Sequence, residues 1–246
     1  MRIPRWILMA ALIAAPAAAP CRSAAEGASH PQQTLFEIAV NGRTIGREMM
    51  TVEEGGDSIA IRSRTAQQFG VDSLRKALDM TVDSYDLNLR NYSSIQNFRG
   101  HSLRRGLSLH DTVFTSYRDQ DGRGTGDTFV RPPGHLFVLD PGLFASFDLM
   151  CRMLRGRAFE RRTVNLVVLS STADTVIATP LVDGGLVTLK QKTRSVSARR
   201  MTLGDEPGAY HLWMATDGRL LRLEQVPSGL RVERVSAPPR RARAAG

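Results

Sequence analysis

Cysteine is almost absent from this chain: of 246 residues only Cys21 and Cys151 carry a thiol. Two cysteines cannot build the disulfide framework that stabilises small secreted domains. A lone Cys151 is expected to behave as a small buried hydrophobe. Lysine is nearly as scarce, with Lys76, Lys190 and Lys192 alone, so the net charge of +9 rests on arginine. Arg2, Arg5, Arg22, Arg240, Arg241 and Arg243 lie in the acid-free first 25 and last 11 residues, and setting these six aside leaves +3. A body of +3 is not a nucleic-acid footprint. The five histidines include no pair at metal-ligand spacing and no histidine–glutamate helix motif, so neither a zinc site nor any other cofactor is expected. A G-x-S-x-G nucleophile elbow is missing. Gly122, Gly124 and Gly126 do not open a helix after a strand, which excludes a phosphate loop. No apolar run reaches the roughly 20 residues that a membrane-spanning helix needs.

What is present begins at the N-terminus. Arg2 and Arg5 precede the apolar run Trp6 to Ala15, and Pro16 to Ala25 is rich in alanine and proline. This is the layout of a secretory signal peptide. Residues 1–25 are therefore read as a signal, cut after Ala25, with a periplasmic or secreted destination. Lipid anchoring at Cys21 is disfavoured because Pro20 stands where lipoprotein signals carry a small residue. Residues 26–33 are expected to be a flexible leader, 34–235 a single β-rich domain, and 236–246 a disordered basic tail.

The body alternates apolar and polar residues in short runs. Phe36 to Val40 and Arg43 to Val52 flank Asn41-Gly42, a strong hairpin signal. Ile59 and Ile61 mark a third strand. Ala66 to Leu78 reads as a loop with a helical turn. Leu78, Met80 and Val82 share one parity and Tyr85, Leu87 and Leu89 the other, which predicts a bulge near Asp83-Ser84. Val113 to Tyr117 is a further strand, followed by the exposed turn Asp119 to Gly124. Beyond it come Val164 to Leu169, Thr175 to Thr179, Leu186 to Lys190, Ser195 to Arg200, Tyr210 to Met214, Leu220 to Val226 and Leu230 to Val235. One helix is predicted, Pro141 to Arg155, with Asp140 as its N-cap and proline at its first position. Phe144, Phe147, Met150 and Leu154 form its apolar stripe at helical spacing. About ten strands with tight turns imply a mainly β fold. The expected form is an antiparallel meander curled into a half-barrel or barrel, with the helix packed in its concave face.

The segments Phe36-Glu37-Ile38-Ala39-Val40-Asn41-Gly42, Ile45-Gly46, Leu139-Asp140-Pro141-Gly142-Leu143-Phe144 and Trp213 to Leu223 give the chain a resemblance to a set of uncharacterised bacterial periplasmic proteins. Those look similar in turn to the lipoprotein-localisation carriers and their half-barrel relatives. The resemblance implies a half-barrel that holds an acyl chain or other lipid between sheet and helix. It implies no catalytic motif. On this reading the ligand-binding residues are Phe144, Phe147, Met150, Leu154 and Trp213, and the protein is a monomer whose partner is a hydrophobic small molecule. Two other functions compete. One is a hydrolytic enzyme using Cys151 or a His/Asp pair, with His135 and Asp140 as the candidates, since the neighbours His110 and Asp111 would face opposite sides of a strand. The other is a structural or interaction protein with a partner in the cell envelope.

Overall fold

The computed structural model describes residues 31–235, except 171, 192 and 193. The proposed signal, most of the leader and the basic tail lie outside the described residues. Gln32 and Gln33, read as leader, already belong to the first strand, because Gln32 pairs with Val52.

Among the described residues, fifteen strands form one sheet. The N-terminal eight are β1 Gln32–Val40, β2 Arg43–Gly55, β3 Ser58–Phe69, β4 Asp72–Asp83, β5 Leu89–Phe98, β6 His101–Leu109, β7 Val113–Gln120 and β8 Arg123–Val130. They run as an antiparallel meander of hairpins. At Asn41-Gly42 and Asp121-Gly122 both turn residues have positive φ, the conformation that matches the right-handed twist of the strands they join. The C-terminal half comprises β9 Leu136–Leu139, α1 Ala145–Met153, β10 Arg161–Val168, β11 Thr175–Lys190, β12 Ser195–Leu203, β13 Tyr210–Met214, β14 Leu220–Gln225 and β15 Leu230–Val235. Strand β15 pairs with β1, so the two meanders join in the middle of the sheet and β8 and β9 are its ends.

The mainly β fold with one helix is as expected. Strand β9 is the exception to the antiparallel pattern, for it lies parallel to β10. Parallel neighbours need a crossover, and the crossover here is α1. The connection carries the helix over the concave face, where Met150, Cys151 and Leu154 are buried with Phe36, Met50 and Val232 in one core.

Several local readings are corrected. Ala66 to Leu78 is not a loop with a helical turn: it is the end of β3, a turn at Gly70-Val71 and the start of β4. The parity change near Asp83-Ser84 falls at the turn between β4 and β5, where Leu87 N–H donates to Asp83 O, and the expected bulge lies just before it, as a shift of register between Thr81 and Val82. Thr175 to Thr179 and Leu186 to Lys190 are two parts of one strand, β11, whose register shifts between Asp183 and Leu186. The helix is shorter than predicted, Ala145–Met153, with Phe144 rather than Asp140 at its N-cap.

Candidate functional site

The inner face of β2 to β6 changes character along its length. One row across the strands is apolar apart from a tyrosine hydroxyl: Val52, Ile61, Met80, Tyr92 and Leu107 stand opposite one another in register. The next row inward alternates, with Met50, Ser63, Leu78, Ser94 and Arg105. The row after that is polar, with Glu48, Thr65 and Lys76 directly across. All of these polar side chains are buried. Buried polar groups require partners, and here the partners come from the segment between β9 and α1.

Asp140 is the centre of this arrangement. Its Oδ1 accepts from Lys76 Nζ and from Arg105 Nη1 at 2.8 Å. Its Oδ2 accepts from the Tyr92 hydroxyl at 2.8 Å and from Ser94 Oγ at 2.7 Å. A carboxylate has about four lone-pair sites, and all four are occupied. Lys76 also donates to Pro141 O at 2.7 Å, and Arg105 Nη2 to Ser170 O at 2.8 Å. Arg105 Nε, also buried, has no acceptor among the described residues. Burial pushes the Lys76 ammonium below its usual range, against the pull of Asp140. The sheet does not close by backbone pairing between β8 and β9. Instead this charged clasp ties the β9–β10 end to the inner face of β4, β5 and β6, and the β7–β8 hairpin projects beyond it, with β8 largely exposed.

Glu48 does what Asp140 was expected to do. Its carboxylate accepts from Phe144 N at 2.8 Å and Ala145 N at 3.1 Å, the free N–H groups at the start of α1. Ser63 Oγ donates to it at 2.5 Å. Full burial raises its pKa from 4.5 to about 7 against the lowering effect of those three donors and Lys76. Gln67 completes the attachment by donating to Gly142 O at 2.9 Å. Gly142 has φ +85, and a Cβ there would meet Gln67 Nε2 at 3.2 Å and Leu74 Cδ2 at 3.4 Å, so loop and sheet are in close contact. At the far side of the helix, Asp148 accepts from Leu220 N at 2.9 Å and Arg152 Nε at 2.7 Å, which fixes α1 to β14.

Above the clasp is a pocket of about 320 Å³. Its walls are Val40, Ile45, Phe69, Leu143, Phe144, Phe147, Tyr210 and Leu230, and Gln67, Asp140, Gln225 and Ser228 supply polar groups. Of the sequence-predicted residues, Phe144 and Phe147 therefore line it, and Phe147 packs on Tyr210 with ring centroids 5.1 Å apart. Met150 and Leu154, one and two turns further along, are packed core. Trp213 is on the outer face of the sheet. There it meets Leu189, Ala198 and Leu221 under the β11–β12 hairpin, with the guanidinium groups of Arg200 and Arg222 over its ring. A second groove on that outer face, about 570 Å³, is lined by Arg222, Arg231, Glu224 and Glu233. These groups pair with one another.

The residues weighed for hydrolysis do not assemble. His135 Nδ1 bonds to Asn88 Oδ1 at 3.0 Å, and Asp140 is engaged as described. Cys151 is fully buried, and burial pushes its thiol well above the usual range, the opposite of what a thiolate nucleophile requires. His110 is exposed and Asp111 with it.

No family model and no curated protein matches the chain. Among solved structures it is similar to a β-barrel-like protein of the domain of unknown function DUF1849 from Brucella abortus. The TM-score is 0.53 at 10% identity, over 83% of this chain and 94% of that one. The fold is thus shared with a barrel-like protein of unknown function. A DUF1089 family protein from Pseudomonas aeruginosa also matches, with TM-score 0.42 and 11% identity over 71% and 87% of the two chains.

Proposed function

We propose that this chain is an exported binding protein that holds a small apolar molecule in the pocket between the sheet and the start of α1. The observation that carries this reading is the pocket itself: aromatic and aliphatic walls, a few polar groups, and a volume at the lower end of the range for small-molecule sites. The rigid attachment of Pro141 to Ala145 supports it, since a wall tied to three strands keeps a cavity open where a free loop would collapse into it. The signal-like sequence of residues 1–25 supports a role outside the cytoplasm, where a carrier of apolar molecules would act as the resemblance to lipoprotein-localisation carriers implies.

The test is binding of the uncharged fluorescent probe N-phenylnaphthylamine. Wild type is expected to bind it and to shift its emission. Leu230→Trp should abolish binding by filling the pocket, because Leu230 lies on its wall beside its cross-strand partner Val40. No binding by wild type, or binding indifferent to Leu230→Trp, would refute the proposal.

A further inference from the structure

We infer that the pocket selects an uncharged ligand and rejects both anionic and cationic homologues of the same size. This inference rests on the binding role proposed above and specifies its chemistry. The lining contains no lysine, arginine or histidine, and Asp140 is its one charged residue. An anionic head group inside it would meet a carboxylate and no free cation. Lys76 and Arg105 stand behind Asp140 and are already turned onto its Oδ1. A cationic head group would find the acceptor sites of Asp140 occupied by four donors. An ion brought out of water without a partner is strongly disfavoured and enters by first becoming neutral. A neutral hydroxyl or carbonyl brings no net charge out of water, and Gln67, Gln225 and Ser228 line the same space, with their own N–H and O–H groups already given to Gly142 O, Gly208 O and Gln225. The volume of about 320 Å³ equals roughly ten waters at their share of liquid volume. A chain of eight carbons with one small polar end fits that bulk.

The experiment compares 1-octanol, octanoate and octylammonium as displacers of N-phenylnaphthylamine at pH 8, with Leu230→Trp as the control for site. The expected result is displacement by octanol, with octanoate and octylammonium at least roughly tenfold weaker. A second readout uses pH. If only the neutral acid enters, octanoate should strengthen roughly tenfold for each unit between pH 8 and 6, while octanol stays unchanged. Octanol is the necessary control, because Glu48 behind Phe144 has a pKa of about 7, Asp140 and Tyr210 line the pocket, and Lys76 and Arg105 are bonded to Asp140 behind it. Octanoate or octylammonium binding as tightly as octanol would overturn the charge selectivity and leave the pocket reading intact. Failure of all three to displace a probe that does bind in a Leu230-dependent way would also overturn it. Absence of any probe binding would defeat the pocket reading and this inference together.

Discussion

Glu48 offers the sharpest test of the structure. Its carboxyl is wholly buried, and its pKa stands at about 7 against 4.5 in the unfolded chain. The perturbation is pH, applied to wild type and to Glu48→Gln. Between pH 4.5 and 7 the unfolded chain has released the proton and the folded protein has kept it. The folded state then binds more protons, so stability falls as pH rises. The contribution is fully present below pH 4.5 and is lost as pH passes through 7. A shift from 4.5 to about 7, at about 1.4 kcal/mol per unit, amounts to roughly 3 kcal/mol. Glutamine has no such titration. Other groups change with pH in both proteins, so the difference in unfolding free energy isolates residue 48. The assay is urea unfolding followed by far-ultraviolet circular dichroism at half-unit intervals from pH 4 to 8.5. Wild type should lose roughly 3 kcal/mol relative to Glu48→Gln across that window and then run level above about pH 8. A difference that stays flat, or one that rises with pH, would refute the placement of a buried carboxyl at the start of α1.

Asp140→Asn should be far more damaging than its small change in shape implies. It leaves the buried cations of Lys76 and Arg105 without their counter-charge, at a cost of roughly 3–5 kcal/mol in urea unfolding. Combining it with Lys76→Met should recover part of that loss, since one uncompensated charge is removed. Trp213→Ala should leave probe binding unchanged while lowering stability, because the indole is on the outer face; loss of binding with intact stability would contradict its placement. Phe147→Ala should lower both, costing about 3 kcal/mol through lost burial of a ring that also forms the pocket wall.

Two of the strand segments after the helix were legible residue by residue. Tyr210 to Met214 and Leu230 to Val235 coincide with β13 and β15, because alternating apolar residues between turn signals leave little choice of structure. Ala66 to Leu78 was misread for an equally physical reason. The inward parity of β3 carries Ser63, Thr65 and Gln67, so the apolar alternation that betrays a strand is missing where the sheet faces the clasp. A signal was available nearby. Glu48 shares the parity of Met50 and Val52, and a charged residue on an apolar parity is either misplaced or partnered from outside the strand. Lys76, one of three lysines in the chain, carries the same hint.

Local pattern alone determined that the chain folds as β-hairpins with one apolar helix, because turn chemistry and side-chain periodicity act over a few residues. It also determined that Phe144, Met150 and Leu154 face inward together, because helical spacing places them on one side. Tertiary structure alone decided which of them line a space and which fill it. It decided that Asp140 ties the β9–β10 end to the inner face of β4, β5 and β6 while Glu48, 96 residues before Phe144, caps the helix. Those outcomes depend on which strands the sheet curls against the β9–α1 connection. The sequence around either partner can mark it as out of place, but it does not say which distant residue will meet it.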